Sequence, residues 1–257
     1  MQQQAFDSYA IHYDDHFTNS LIGKAQRKQV RKHLNKVIPV EVKNVLEINC
    51  GTGEDALWFA KKGMNVLATD ISEGMIEVAK LKTDSVEFRQ LNCIDIESLA
   101  PSKYDLVFSN FGGLNCLNAN ELIQFRNGCS SLQNKGNHLA FVIMGTQCWW
   151  ERMYFNVKKD KVKANRRQNK IGVETIINDE KFKTYYYSPK YFMELFGDEY
   201  ECVLTKPIGL FVPPSYLESY FLKRKGLLGL LCFFDRLLSF SFLSNFADHY
   251  IIIFKKK

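Results

Sequence analysis

Short apolar runs alternate with segments of helical periodicity through the first half of the chain. Apolar runs of roughly four to eight residues, separated by helical segments, are typical of strands in a parallel sheet joined by right-handed βαβ crossovers. The pattern therefore predicts an α/β fold. The predicted strands are NVLEI (44–48), NVLATD (65–70), VEFRQL (86–91), KYDLVFS (103–109) and HLAFVIM (138–144).

Helical patterns lie before and between these strands. Residues 5–36 have helical periodicity, with Tyr9 and Tyr13 at helical spacing, until Pro39 ends the pattern. Ser72 precedes the segment EGMIEVAKLK and is its predicted N-cap. Helices on both faces of a parallel sheet would give three layers.

The regular alternation is lost after Met144 and returns near residue 189. This stretch is too long for an ordinary connection, so we expect a lid inserted over the carboxyl ends of the strands. Two more strands are predicted within 200–212 and 248–254, and their long connection allows either orientation. We expect one domain over 1–257, with a helical cap (1–38), a core (39–145), a lid insertion (146–188) and a C-terminal part of the sheet (189–257).

Composition restricts the class of protein without choosing a function. The 257 residues are 46% hydrophobic, enough for a sizeable core, and carry a net charge of +6. Seven basic residues against one acidic lie between Lys158 and Lys170, so the charge is local and most simply belongs to a solvated loop. Seven cysteines without a C-x-x-C pair, and no signal-like start, predict reduced thiols in the cytoplasm. No metal site is predicted, because His12 and His16 fit a solvated helix face.

The longest apolar stretch is 226–243. Asp235 and Arg236 near its middle would each cost about 2.5–3.5 kcal/mol at a bilayer centre, which disfavours a transmembrane helix. The segment must instead bury itself in the core, in a partner subunit, in an acceptor pocket or at a membrane surface, and the basic runs 223–225 and 255–257 keep peripheral membrane contact open. Its polar positions form a narrow stripe at helical spacing: Lys225, Gly229, Cys232, Arg236 and Ser239.

The loop after the first strand lies where open parallel sheets bind ligands. Its glycines, Gly51 and Gly53, permit positive φ and a close approach of the backbone to a ligand. Gly51-x-Gly53 also fits a dinucleotide fingerprint, but the carboxylates around the loop would repel a pyrophosphate. They would favour a ligand with an ammonium, a second cationic centre and no phosphate, such as S-adenosylmethionine (SAM). These carboxylates belong to Glu47, Glu54 and Asp55.

Asp70 closes the second strand, where a carboxylate can accept hydrogen bonds from both ribose hydroxyls of a nucleoside. The combination Glu47-x-Asn49-x-Gly51-x-Gly53, with Asp70-Ile71-Ser72 and Met75 further on, resembles the class I SAM-dependent methyltransferases of the small-molecule type. The resemblance covers residues 40–145. It implies SAM as cofactor and a Rossmann-like, three-layer sandwich with a mostly parallel, seven-stranded sheet.

The resemblance also implies roles for individual residues. Glu47 and the backbone of the glycine loop would hold the methionine part of SAM, and Asp70 would hold the ribose. Asn49 stands where the family has its first glycine, and Asn92 stands where an acidic residue is common; an amide oxygen can still accept from the adenine amino group. The implied cofactor-binding residues are Glu47, Asn49, Gly51, Gly53, Asp70, Ile71, Met75, Asn92, Cys93, Asn110 and Tyr13.

The sequence says less about catalysis and the acceptor. Methyl transfer needs a base only if the acceptor loses a proton. The run SNFGGLNCLN after the fourth strand lacks the prolines of base-amino methyltransferases. We expect a small, hydrophobic or lipid-like acceptor methylated on oxygen or nitrogen; RNA or protein methylation through the basic lid, and a non-catalytic SAM-binding subunit, remain open. The weak candidates for a catalytic group are His12, Tyr13, His16, Asn110 and His249.

Overall fold

The computed structural model describes residues 2–101 and 103–257, and it has a seven-stranded sheet with helices on both faces. The strand order is β3-β2-β1-β4-β5-β9-β8, and two further strands, β6 and β7, form a separate hairpin. The strands are β1 (Asn44–Ile48), β2 (Asn65–Asp70), β3 (Glu87–Gln90), β4 (Leu106–Ser109), β5 (His138–Met144), β6 (Val173–Ile177), β7 (Glu180–Thr184), β8 (Tyr200–Ile208) and β9 (His249–Lys256).

Strand orientation confirms the predicted mostly parallel sheet. The pairs β1–β2, β1–β4, β2–β3 and β4–β5 are parallel, which brings their carboxyl ends to one edge. β9 is antiparallel to both β5 and β8, which decides the orientation that the sequence left open. Every residue of β4, and every residue of β5 except the last, is buried. The two strands are therefore covered on both faces, which explains their continuous apolar runs.

The helices pack in two layers against the sheet. One layer packs on a core that includes Phe59 and Phe88, and the other on a core that includes Phe125, Phe141 and Phe196. The helices are α1 (Gln2–Tyr13), α2 (Leu21–Val37), α3 (Glu54–Ala60), α4 (Glu73–Lys80), α5 (Ala119–Ser131), α6 (Trp149–Val157), α7 (Lys161–Ala164), α8 (Pro189–Phe196), α9 (Glu218–Phe221) and α10 (Lys225–Leu237).

The N-terminal region is not the single helix predicted over 5–36. A π-helical turn, Asp14–Thr18, follows α1, and α2 then begins after its N-cap Ser20, whose side chain accepts a hydrogen bond from the Gly23 amide. A Cβ on Gly23 would lie 2.1 Å from the Phe17 carbonyl oxygen. Periodicity alone could not show this break, because apolar residues continue at helical spacing on both sides of it.

The lid residues make contacts of two kinds, one with the N-terminal cap and one within the lid itself. The β6–β7 hairpin packs on α1, where the Phe6 and Phe182 rings lie 5.4 Å apart and Asn178 donates to the Ser8 carbonyl oxygen at 3.1 Å. Arg166 and Arg167 both donate to the buried carboxylate of Glu151 in α6. The expectation of a solvated loop over 158–170 is therefore wrong for these two arginines.

Candidate active site

The loop between β1 and α3 adopts the strained backbone that its sequence allows. Gly51 and Gly53 have φ of 53° and 77°, and Asn49 also lies in the left-handed region at 53°. A Cβ on Gly53 would lie 2.8 Å from the Phe88 ring, so the loop can pack against β3 only with glycine there. Asn49 occupies its position because asparagine tolerates positive φ better than most residues.

Asp70 joins this loop to the end of β2. Its Oδ2 accepts a hydrogen bond from the Gly51 amide at 2.8 Å, and its Oδ1 accepts one from the Ser72 amide at 2.9 Å. Burial raises the pKa of the Asp70 carboxyl, although both amides oppose the shift. Each oxygen keeps a lone pair, so the carboxyl can still accept hydrogen bonds from a ligand's hydroxyl groups.

Glu47 is a buried acid with an unused oxygen. Only 2% of its surface is exposed, and its Oε2 has no hydrogen-bond partner within the described residues. Burial, and next the nearby Asp55 carboxylate, raise the pKa of Glu47 well above its ordinary value. A buried acceptor without a donor is costly to leave unpaired, so this oxygen is suited to a cationic donor from a ligand.

Asp55 is neutralised by two arginines of α2, which sequence reasoning missed. Arg27 donates to it at 3.1 Å, Arg31 donates to it at 2.7 Å, and the Asn110 amide donates at 2.7 Å. The Asp55 carboxylate therefore does not face a ligand as a free charge. Glu47 and Asp70 are the remaining acids that would disfavour a phosphate here. The R-x-x-x-R spacing on one face of α2 was the sequence signal for the two arginines that pair with Asp55.

The N-terminal cap covers the loop. Asp7 of α1 accepts hydrogen bonds from the Ser72 hydroxyl at 2.6 Å and the Gly74 amide at 3.0 Å. This docks α1 at the start of α4 and places the Tyr13 ring over Gly51, where a Cβ on the glycine would lie 3.8 Å from it. Burial raises the pKa of Tyr13 to about 12, so its hydroxyl stays protonated at neutral pH.

These elements enclose a pocket with about 520 Å³ of empty space, its opening to solvent included. Gly113 lets the far wall come close, because a Cβ on it would lie 2.4 Å from the Asn49 Cβ. The lining residues are Phe6, Tyr13, Asn49, Gly51, Asp70, Ile71, Met75, Asn110, Phe111, Gly112, Gly113 and Cys116.

Seven of the eleven residues that the sequence nominated for the cofactor line this pocket: Tyr13, Asn49, Gly51, Asp70, Ile71, Met75 and Asn110. Glu47, in β1, and Gly53, at the end of the loop, do not line the pocket. The Asn92 oxygen accepts from the Ile94 amide at 3.3 Å and caps a 3-10 turn, while Cys93 is buried beside Asn49. Asn92 and Cys93 are therefore not part of the pocket lining.

The residues nominated as catalytic candidates lie in different environments. His12 and His16 are exposed, and His16 stacks on Tyr9 with ring centres 5.6 Å apart. Both polar groups of the Asn110 amide are engaged, one by Asp55 and the other by the Phe111 backbone amide. His249 is buried, and its ring meets the edge of Phe111 at 5.6 Å, next to the pocket wall.

His249 sits in a buried ionic network that reaches into the lid. Its Nδ1 lies 3.2 Å from Asp248 Oδ2, and Arg167 donates to Asp248 Oδ1 at 2.8 Å. Burial alone would raise the pKa of Asp248, but His249 and Arg167 hold it well below its usual range. The carboxylate and the imidazole are thus within ion-pair distance, although His249 Nδ1 has no hydrogen-bond partner among the described residues.

Asp70→Asn is expected to weaken SAM binding about tenfold, which is a loss of ~1.4 kcal/mol of binding free energy. One carboxylate oxygen becomes an NH₂ group, which would face a backbone amide donor and cannot accept a hydrogen bond from the ribose. Titration calorimetry with SAM would measure it. Asp105→Asn is the matched control, because Asp105 also accepts from two backbone amides, those of Lys43 and Asn44, but at the opposite end of the sheet. Equal SAM affinity in the two variants would contradict the role of Asp70.

Known proteins share this sequence pattern and fold. Residues 45–136 match the family model described as a methyltransferase domain. A demethylmenaquinone methyltransferase of Clavibacter sepedonicus is 32% identical over 110 residues, 42% of this chain and 44% of the relative. A malonyl-[acyl-carrier protein] O-methyltransferase 2 of Ilyobacter polytropus is 32% identical over 152 residues, 56% of each protein. The matched part of the chain thus spans about half the length of these relatives.

Among solved structures, the DhpI protein in its complex with SAM and HEP superposes with a TM-score of 0.62. It shares 18% sequence identity, and the superposition covers 98% of this chain and 95% of that one. At this identity the likeness shows the fold alone. Residues 45–136 thus form a methyltransferase domain, and the whole chain has the fold of the class I SAM-dependent methyltransferases.

Proposed function

We propose that this protein transfers a methyl group from SAM to a small, hydrophobic or lipid-like acceptor, on oxygen or nitrogen. The observation that carries the proposal is the unpaired, buried oxygen of Glu47, in the strand before a glycine loop that Asp70 fixes in place. Among the described residues that line the pocket there is no lysine or arginine to hold a phosphate. This combination suits a cationic nucleoside better than a dinucleotide.

The residues divide the work of holding the cofactor. Glu47 would accept from the amino group of SAM, Asp70 would accept from its ribose hydroxyls, and Ile71 and Met75 would pack against its adenine. Tyr13 closes the pocket above the glycine loop and keeps water out. When bound, SAM supplies a methyl group on a sulfonium, an excellent leaving group, so the protein's main task is to hold the acceptor in line with it.

The acceptor side supports a small molecule. Phe111 lines the pocket, and the Phe17 ring packs behind it with the ring centres 5.0 Å apart. The two named relatives act on demethylmenaquinone and on malonyl-[acyl-carrier protein], as their names state. The alternative of RNA methylation loses the two arginines of the basic lid, because Arg166 and Arg167 are paired with Glu151, while the lysines of the lid are exposed.

We further propose His249 as the general base for an acceptor that must lose a proton, with Asp248 as the residue that positions it. Of the nominated candidates, His249 is the histidine that is buried beside the pocket wall and has a carboxylate partner. Asn110 would orient Phe111 and not take a proton, because its amide is already engaged.

Location and organisation follow as proposals. Seven free cysteines fit a reducing, cytoplasmic environment. The lid over 146–188 joins the cap over 1–38 through the β6–β7 hairpin, which supports a single methyltransferase domain. Within the described residues, no helix combines the length and apolar character needed to cross a bilayer.

The direct test is a mass-spectrometric screen of metabolite and lipid extracts incubated with the protein and methyl-labelled SAM. We expect one labelled product in the lipid fraction and thermal stabilisation by SAM and S-adenosylhomocysteine. Label in no fraction, together with stabilisation by SAM, would indicate a non-catalytic SAM-binding subunit. Stabilisation by NAD alone would overturn the assignment of the pocket.

A further inference from the structure

The outer face of α10 exposes a continuous row of large apolar side chains. A folded helix in a water-facing position normally carries polar residues there. The row continues into the turn that follows the helix, and apolar surface of this extent marks an interaction site. The exposed fractions are 41% for Leu227, 51% for Leu230, 56% for Phe233, 60% for Leu237, 47% for Phe240 and 75% for Phe242.

The opposite face of α10 fixes this orientation. Leu228 is buried with Ile22 of α2 and Phe221 of α9. The buried Asp235 carboxylate accepts from the Phe211 amide at 2.8 Å and the Val212 amide at 3.1 Å. Of the predicted polar stripe, Lys225, Gly229 and Arg236 are exposed, whereas Cys232 and Ser239 are half-buried. The apolar row is held outward as well.

The charges around the apolar row have one sign. Segment 215–243 contains two acids, and both are used inside the fold: Asp235 as above, and Glu218 by accepting from the amides of Leu21 and Ile22. The exposed charges of the segment are all basic. They belong to Lys223, Arg224, Lys225 and Arg236.

Helix α2 extends the basic surface along the same side. Its residues Lys28 and Lys32 face Cys232 and Arg236 of α10 across a shallow groove. Burial, and then the positive charges of Lys36 and Arg236, lower the pKa of Lys32. Asp235 also lines this groove, but its carboxylate already accepts from the Phe211 and Val212 amides. The basic side chains around the groove repel one another, and an anionic surface would relieve this repulsion.

We propose that this face, the apolar row of α10 with its basic border, docks on the surface of an anionic lipid bilayer. The helix would lie in the plane of the interface, its apolar row among the acyl chains and its lysines and arginines at the headgroups. A second copy of the chain fits less well, because a two-fold contact would bring the same basic residues of both copies together.

The docked face lies close to the lid. The segment that leads from β8 into α9 receives a hydrogen bond from Trp150 of α6, whose Nε1 donates to the Phe211 carbonyl oxygen at 2.9 Å. The proposal stands on the surface alone and does not rest on the proposed function. It would nevertheless place a methyltransferase where a lipid-like acceptor is dissolved.

The test is co-sedimentation of the full chain with vesicles of phosphatidylcholine, with and without an equal part of phosphatidylglycerol. We expect binding to the mixed vesicles that weakens as salt is added, and little binding to phosphatidylcholine alone. Leu230→Glu with Phe233→Glu is expected to lower the vesicle affinity about tenfold or more. Ile176→Glu is the matched control, since Ile176 is 58% exposed in the hairpin, and it is expected to bind as the unaltered protein does.

Four results would overturn the proposal. The first is no binding of the unaltered protein to mixed vesicles, and the second is equal binding by the Leu230/Phe233 variant while its thermal unfolding is unchanged. The third is a dimer in solution that this variant converts to a monomer, without vesicle binding by either protein, which would assign the face to a second copy. The fourth is binding that salt does not weaken, which would remove the role of the basic border. SAM binding serves as an independent check that each variant is folded.

Discussion

Replacing Glu47 with glutamine is expected to weaken SAM binding roughly ten- to hundredfold while stabilising the ligand-free protein. A hydrogen bond between a charged donor and a carboxylate contributes about 1.5–3 kcal/mol, which the neutral amide would largely lose. The same buried carboxyl destabilises the protein without ligand, because its Oε2 is unpaired and burial opposes its ionisation. If SAM affinity falls while the stability of the ligand-free protein rises, the role of Glu47 is to bind the ligand and not to stabilise the fold.

The pH dependence follows from the direction of the pKa shift. Burial raises the pKa of Glu47 in the folded protein above its ordinary value of 4.5, so the folded state binds more protons than the unfolded state above that pH. Its contribution to stability therefore falls as the pH rises from 4.5 toward the raised pKa. A cationic ligand favours the carboxylate form, so SAM affinity should rise with pH over the same interval.

Thermal unfolding and calorimetry between pH 4 and pH 8 would measure both effects. We expect the Glu47→Gln variant to unfold at a higher temperature at neutral pH, by an amount that shrinks toward pH 4, and to bind SAM without this pH dependence. Glu151→Gln is the matched control, because Glu151 is equally buried but paired with two arginines. Its loss should lower stability and leave SAM affinity unchanged. A Glu47 variant with unaltered affinity would contradict the pocket assignment.

Replacing His249 with glutamine is expected to lower kcat by at least about a hundredfold without changing SAM affinity. A general base contributes about 10²–10⁴-fold to a rate, and glutamine cannot take a proton. The acceptor found by the extract screen would serve as substrate, and its KM should stay unchanged in the variant. A fall in kcat with KM unchanged separates a catalytic role from a structural one.

His138→Gln provides the control for this experiment. His138 is also buried, and it lies at the opposite end of the paired strands β5 and β9. There it is paired with Lys255, whereas at the other end His249 is paired with Met144. We expect this variant to keep kcat and KM. A His249 variant that loses SAM affinity in proportion to kcat, or that stays within about threefold of the unaltered rate, would show that His249 only supports the wall behind Phe111.

The core from 44 to 144 and the loop from Asn49 to Gly53 could be predicted, because buried parallel strands appear as apolar runs and the tight loop requires residues that accept positive φ. Asp70 was also predictable from its place at the end of β2. Its bonds to the Gly51 and Ser72 amides bring the two loops together in the structure.

Charge interactions were harder to predict because their partners are remote in sequence. Asp55 seemed a free anion, yet Arg27 and Arg31 pair with it. Arg167 seemed part of a solvated loop, yet it pairs with Asp248, 81 residues away. Burial decides such cases, since a buried charge must find a partner and no local pattern names it.

The sequence by itself determined the α/β core, the ligand-binding edge of the sheet and the cofactor class, since local periodicity and turn chemistry are encoded within a few neighbouring residues. Only the tertiary structure decided three other features. These are the antiparallel direction of β9, the unpaired oxygen of Glu47, and the outward face of α10. Each depends on which distant segments exclude water from a side chain, and that is settled when the whole chain packs.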